Sequence, residues 1–391
     1  MTEIVVPVAE DLLLEEPSSQ LVLVAGADAA VAGQWRLMAW RFRKHRLAVV
    51  SLFVIALLYL IGIFAEFLAP YSTDTTRPTY TYAPPQGISL IAHHPDGSWE
   101  WNPHVAGYDI TVDQEAMRRT FVANPDKVMP VGFFVHGEKY RLFGLIPSDV
   151  HLLGPTNPRD VVYLLGSDRL GRDVFSRLIY GTRISMSIGL VGVAISLVLG
   201  IFLGGISGYY GGIVDTLIQR VIEVVSAMPT IPLWMGLAAA IPLNWQPAQV
   251  YFTVTAIVSL LGWTSLAREV RGRFFALREE DFVTAARLDG ASEMRIIFRH
   301  MLPSITSHIL AMVTLAVPAM IIAETSLSFL GIGLKPPVVS WGVLLQDAQN
   351  LRAIANAPWL LLWPALAVMV AVLSFNFLGD GLRDAADPYD R

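Results

Sequence analysis

Hydrophobic positions in this chain fall into long runs rather than short periodic stretches, and one long polar stretch interrupts them. A basic cluster, Arg41-Phe42-Arg43-Lys44-His45-Arg46, directly precedes an apolar run over residues 47–68. That run is long enough to cross a hydrocarbon core of about 30 Å, and its basic flank is expected on the cytoplasmic side. The tail before it (1–46 with the flank) mixes acidic and small apolar residues without a period. It reads as mostly flexible, with a short apolar docking segment at 21–24. A tail of that length, followed by so extended a run, argues for a retained first span rather than a cleaved leader.

From 69 to 183 the pattern is polar and rich in proline, glycine and aromatics, with no spanning run. Tyr108-Asp109-Ile110-Thr111-Val112 alternates as a half-buried strand does. The run Phe133-Phe134-Val135 and turn signals such as Pro95-Asp96-Gly97 add to a small β-containing insert outside the cytoplasm. Five of the eight histidines lie here (His93, His94, His104, His136, His151), without the spacing of a metal site. Trp99, Trp101 and Tyr108 could instead handle carbohydrate or peptide.

Five further apolar runs follow, at 184–206, 217–240, 250–266, 305–323 and 359–378. Six crossings from the cytoplasm return the C-terminus there and place the loop 267–303 inside. The loop's arginines at 268, 271, 273, 278, 287, 295 and 299 agree with that side. Arg169, Arg172, Arg177 and Arg183 precede the second span on the outer side and pull the other way; long loops escape the charge rule. The expected plan is thus an all-α membrane protein of six spans: tail 1–46, first span 47–68, insert with an interfacial helix 69–183, core 184–379, tail 380–391.

The loop 267–303 mixes charges with apolar residues between two spans. Ala285, Ala286 and Leu288 can share one side of a short helix. Gly290 then tolerates φ > 0, and Ser292 can cap a second helix carrying Met294, Ile297, Phe298 and Met301 at helical spacing. Pro303 sits where a new helix accepts proline. This order resembles the EAA loop of permease subunits of binding-protein-dependent ABC importers: Thr284-Ala285-Ala286, Asp289-Gly290, and Leu302-Pro303 at the family spacing, with Thr284 in place of the motif's glutamate. The resemblance implies a coupling helix that docks on an ATPase subunit.

Other segments resemble the C-type subunit of dipeptide and oligopeptide importers. Leu165-Gly166-Ser167-Asp168 followed by Gly171-Arg172-Asp173 is similar to that group's LGTD-x-x-GRD. It suggests a capped interfacial helix with Val174, Leu178 and Ile179 on apolar surface, its arginines attracting a peptide carboxylate or phospholipid. Gly208-Tyr209-Tyr210-Gly211-Gly212 reads as a tight turn, and the small residues Gly200, Gly204, Gly205 and Gly208 permit close helix approach. Glu223, in an apolar stretch, needs a partner, and Arg220 stands three residues back; with Glu324, which begins a segment similar to E-x-x-LSFLGLG, these are candidates for the translocation pathway. The tail from Gly379 to Pro388 is similar to GDxLRDxLDP, with Arg383 expected as a salt-bridged cap.

Composition sharpens this picture: 54% of residues are hydrophobic, 16% charged, and the mean hydropathy is +0.51. That balance asks for a bilayer, and the net charge of −5 speaks against nucleic acid. With no cysteine, disulfides, thiolate metal sites and cysteine nucleophiles drop out. No Gly-x-x-x-x-Gly-Lys-Ser/Thr occurs, so this chain is expected to be a translocation subunit that does not itself hydrolyse ATP, with no cofactor of its own. The resemblance puts ATP and Mg in two partner ATPases, beside a second homologous permease and an extracytoplasmic solute-binding protein that delivers peptide. It places the whole in a bacterial inner membrane. Rival readings keep the machinery but import oligosaccharide, nickel chelates or peptide antibiotics. Others make the chain an ATP-independent channel, a membrane anchor, or a membrane hydrolase using Glu223 or Glu324.

Overall fold

The computed structural model describes residues 34–93, 99–113, 118–242 and 244–386. Among these residues five helices are long and apolar enough to cross a bilayer: α2 (Arg46–Ile63), α4 (Val174–Tyr210), α7 (Pro247–Leu277), α11 (Thr306–Phe329) and α14 (Trp359–Ala386). A short α1 (Gln34–Lys44) leads into α2, and α3 (Ala65–Leu68) leaves it. At 37 residues, α4 is about 55 Å long and overruns any hydrocarbon core.

The run at 217–240 differs from the straight span expected there. It forms two helices, α5 (Gly212–Ala227) and α6 (Thr230–Ala239), bent by 85°. Pro229 has no N–H to continue the ladder, and Met228 before it is extended at φ −73°, ψ 133°. A pattern of apolar residues cannot reveal a bend whose two arms are both apolar.

Between α3 and α4 the insert is a four-stranded antiparallel meander, β1 (Ile88–His93), β2 (Trp99–Asp113), β3 (Arg118–Leu142) and β4 (Ile146–Pro155), in sequence order across the sheet. Both expected strand segments lie in it, one in β2 and one in β3. The Pro95–Gly97 turn and His94 lie outside the described residues. Tyr108 belongs to the insert's own core, 9% exposed and edge-on to Phe121 at 5.4 Å, so it is no ligand platform. Trp101 stands 64% exposed.

The bundle core is built from α4, α7, α11 and α14 around Met186, Ile188, Val258, Ile321 and Phe375. Along one seam side chains vanish: a Cβ on Gly200 would lie 2.9 Å from the Leu266 Cβ, and one on Gly208 would lie 2.7 Å from the Arg271 carbonyl oxygen. Gly204, between them, faces the Ala267 carbonyl. The glycine stripe thus brings α4 and α7 backbone to backbone, as small residues allow in membranes. Leu52, Phe53 and Leu57 on α2 stay exposed, a face suited to lipid.

Candidate functional site

The loop after α7 is the first candidate. Helix α8 (Asp281–Leu288) ends at Asp289, Gly290 takes φ +77°, and α9 (Glu293–Arg295) begins after Ser292. Ser292 occupies the cap position without a side-chain cap bond. The chain then makes a π-helical segment, Ile296–Met301, before α10 (Leu302–Ser304), which holds Pro303 in its first turn.

Which residues face inward differs from the expected stripes, for two local reasons. In α8 it is Val283 and Ala286 that are buried, three apart, so Ala285 is exposed and Leu288 is 83% exposed. In the next segment the wider π turn shifts the phase: Ile296, Ile297 and Met301 point inward while Met294 and Phe298 are 50% and 45% exposed. The inward set packs on Leu266, Val270 and Phe274 of α7 and on Tyr209 of α4. The outward set leaves Phe282, Ala285 and Leu288 in an apolar ridge flanked by exposed Thr284, Arg287 and Asp289.

This loop is tied down at its base. The Tyr210 hydroxyl donates to Glu293 Oε2 at 2.6 Å. Arg271 forks onto both oxygens of Asp215 at 2.5 and 2.6 Å, and the Ser207 hydroxyl donates to the same carboxylate at 2.5 Å. Sequence reasoning missed Asp215 and Arg271, although a lone acid opening an apolar helix was a usable signal. Arg220 and Glu223 do pair, Nη1 to Oε2 at 2.7 Å, on an exposed face of α5 where the side chains are 74% and 59% exposed.

At the opposite end, the Asp168–Asp173 stretch is not a free-standing interfacial helix. Gly166 and Gly171 take φ +83° and +72°, Ser167 bridges Asp173, and Asp173 caps α4 directly by accepting from Ser176 N at 2.8 Å. Gly171 is obligatory, because a Cβ there would run into the Arg77 carbonyl. Val174 and Ile179 are buried in protein rather than on a lipid face.

The arginines of this stretch do not reach for a carboxylate from outside. Arg172 (Nε, 2.7 Å) and Arg177 (Nη1, 2.5 Å) both meet Asp168 Oδ2, and Arg177 also meets Asp347 at 3.0 Å. Asp347 ends α12 (Trp341–Asp347), which the short α13 (Leu351–Asn356) follows, so this cluster staples α4 to the far third of the sequence. Arg183 forks onto Glu66 at 2.5 and 2.6 Å and donates to the Gly62 and Ile63 carbonyls that end α2. Burial pushes the Glu66 carboxyl up, but the Arg183 bonds outweigh it and hold it below the usual range. These pairings answer the charge anomaly at the outer flank of the second span. Asp173 is different: one oxygen accepts twice from Ser176, the other has no partner, and burial pushes its carboxyl up to about 6.

Glu324 is fully buried and faces no open passage. Its carboxylate accepts from Ser328 at 2.8 Å, Ser340 at 2.7 Å and Ser185 at 3.3 Å, gathering α11, the start of α12 and α4. Near the C-terminal end it is Asp384 that approaches a basic group, His45 at 3.9 Å; Arg383 is exposed without an ion pair among the described residues. Among those residues no cluster of three metal-ligating side chains forms; His151 bonds to the Glu138 carbonyl, and His136 lies 3.1 Å from Asp149.

Comparison with known proteins adds to this geometry. Residues 178–389, more than half of the chain, match the family of binding-protein-dependent transport system inner membrane components. Residues 33–85 match the N-terminal transmembrane domain of oligopeptide transport permease C. The oligopeptide transport system permease protein OppC of Bacillus subtilis is 36% identical over 62% of this chain and 76% of its own length. The dipeptide permease DppC of Alkalihalophilus pseudofirmus is 38% identical over 57% of this chain and 71% of its own length. The glutathione permease GsiD of Pectobacterium atrosepticum is 39% identical over 57% and 72%.

Proposed function

This chain belongs to the binding-protein-dependent transport system inner membrane components, and from that membership we propose that it carries di- or oligopeptides through the inner membrane as one permease subunit of an ATP-driven importer. The observation that carries the coupling assignment is the apolar ridge of Phe282, Ala285 and Leu288 on a buried, ion-paired base. A solvent-facing leucine at 83% exposure beside a left-handed glycine is an unfinished surface, and a groove on an ATPase would complete it.

The working assembly holds two ATPases, which bind ATP and Mg, a second homologous permease and an extracytoplasmic binding protein. In it both termini and the loop face the cytoplasm, the loop starting at Arg278 rather than at 267 because α7 continues to Leu277. Thr284, Ala285, Ala286, Asp289, Gly290, Leu302 and Pro303 form the coupling element, of which Ala286 packs inward and Ala285 outward. The exposed Arg220–Glu223 pair on α5 lines the passage opposite the second permease, while Glu324 holds α4, α11 and α12 in place. ATP-driven closure of the ATPases pushes on α8, and the two permeases rock between states open to either side.

Leu288→Asp tests the assignment. The variant is expected to reach the membrane with unchanged thermal stability, lose co-purifying Walker-motif ATPases, and lose peptide uptake. Undiminished ATPase recovery would sink the coupling role of this ridge. Recovery of the unmutated chain only as a folded homo-oligomer would point to an ATP-independent channel or anchor instead.

A further inference from the structure

The insert carries an apolar feature that neither the coupling loop nor the passage uses. At the β3–β4 hairpin, Leu142-Phe143-Gly144-Leu145-Ile146-Pro147 has no charged residue. Leu145 is 81% exposed, Ile146 57% and Phe143 51%; farther along β3, where Phe133 pairs with Leu153, Phe133 and Phe134 are 70% and 64% exposed. In water these residues would be an aggregation hazard. Phe143 is also held at φ +56°, a left-handed backbone that turns ordinarily give to glycine or asparagine.

Where the tip lies decides what covers it. The chain leaving α2 passes Phe64 and reaches Pro70, and β4 runs beside it in the same direction. Phe143 lies 5.8 Å from Phe64, ring to ring, and a Cβ on Gly154 would lie 3.6 Å from Pro70. The hairpin therefore points back toward the spanning helices. Its tip comes alongside their ends: a groove of about 530 Å³ is lined by Phe143 and Gly144, by Tyr59, Gly62 and Leu190 of α2 and α4, and at its polar corner by the Arg183–Glu66 pair. Tyr59 sits a full turn inside the end of α2 at Ile63. Around it Leu60, Ile63 and Leu190 are themselves 51%, 47% and 55% exposed, so the apolar tip is continuous with the lipid-facing surface of two spans. Lys139 and Arg141, both exposed, stand just above the apolar run, the position from which long cations reach headgroups.

We propose that the β3–β4 hairpin is a membrane wedge: Phe143, Leu145 and Ile146 enter the hydrocarbon of the leaflet on the insert's side, with Lys139 and Arg141 at its phosphates. The wedge anchors the free end of the insert beside α2. It depends on the spanning helices only and is independent of the cargo.

Because the chain has no cysteine, single cysteines can be placed without removing any. Nitroxide labels at Leu145→Cys, Ile146→Cys and Arg159→Cys would be compared in the full chain, with its co-purifying partners, in phosphatidylcholine–phosphatidylglycerol nanodiscs. Arg159 is exposed beyond the far end of β4, about 30 Å from the tip. Labels at 145 and 146 are expected to collide with oxygen several-fold more than with a water-soluble nickel chelate, and the label at 159 the reverse. A tip label open to the nickel chelate would overturn the wedge in favour of a solvent-exposed hairpin. An immobile label shielded from both reagents would overturn it in favour of a protein contact. Two tip positions guard against one variant failing to fold.

Discussion

At the insert end of the bundle, charged side chains are sunk and paired with one another: Asp168 is fully buried, Arg177 1% exposed, and the partner Asp347 comes from a helix 170 residues later. At the opposite end the chain does the reverse, burying an apolar cluster under α8 and leaving a leucine and a phenylalanine outside. Buried ion pairs are closed systems, since each charge has its counter-charge within the chain. An exposed apolar ridge is open and asks for a partner. Truncation should therefore cost stability at the first site and, on the proposed coupling role, partner binding at the second.

The largest effect should come from breaking the closed site. Asp168→Ala leaves two buried guanidiniums short of a carboxylate and is expected to destabilise the protein by about 3–5 kcal/mol, read as a large fall in melting temperature in detergent. The same truncation at exposed Asp289, on the open site, should leave that temperature unchanged.

Asp173 sharpens the comparison through pH. Its carboxyl titrates near 6 in the folded protein against about 4 unfolded, so folding favours the protonated form. The stabilisation is complete below pH 4 and is lost as pH rises through 6, a span of about 3 kcal/mol. Asp173→Asn, which keeps a good helix cap, should flatten that dependence in melting curves taken between pH 4 and 7. A wild-type profile already flat over that range would count against the buried, half-satisfied carboxyl.

Gly290→Ala should cost about 1 kcal/mol, from backbone strain alone, because a Cβ there meets nothing within 4 Å in this chain. If the partner's groove closes on Gly290, ATPase recovery falls by far more than that strain accounts for. Smallest of all, Arg220→Ala should move the melting temperature by the equivalent of about 0.5 kcal/mol or less, the pair being exposed. A fall in uptake without that stability change would separate a passage residue from a structural one.

Much of the architecture was legible because hydrophobic runs and turn chemistry are local. Gly290 adopts the left-handed backbone its place between two short helices required, and Asp173 caps the helix it precedes. What could not be read was set by distant partners or by local geometry that composition does not encode. Nothing near Arg177 in sequence announces Asp347. The 85° bend at Met228–Pro229 joins two arms of equal hydrophobicity, and a π turn alone decides that Phe298 faces out while Ile296 faces in. The arginines before the second span looked like an outward charge and are instead internal ties, because Asp168, Asp347 and Glu66 fold onto them.

The glycine seam between α4 and α7 has a mechanical meaning. Side chains are the compressible element between packed helices; they change rotamer and absorb small displacements. Where Gly204 and Gly208 set backbone on backbone there is little left to yield, so the two helices of 37 and 31 residues are joined there as one strut. In the proposed importer a push on α8 would enter that strut at Phe274, against Gly205 and Gly208, and reach Arg177 of the Asp168 cluster about 45 Å along α4. Stiffness, bought by deleting side chains, sets the stroke.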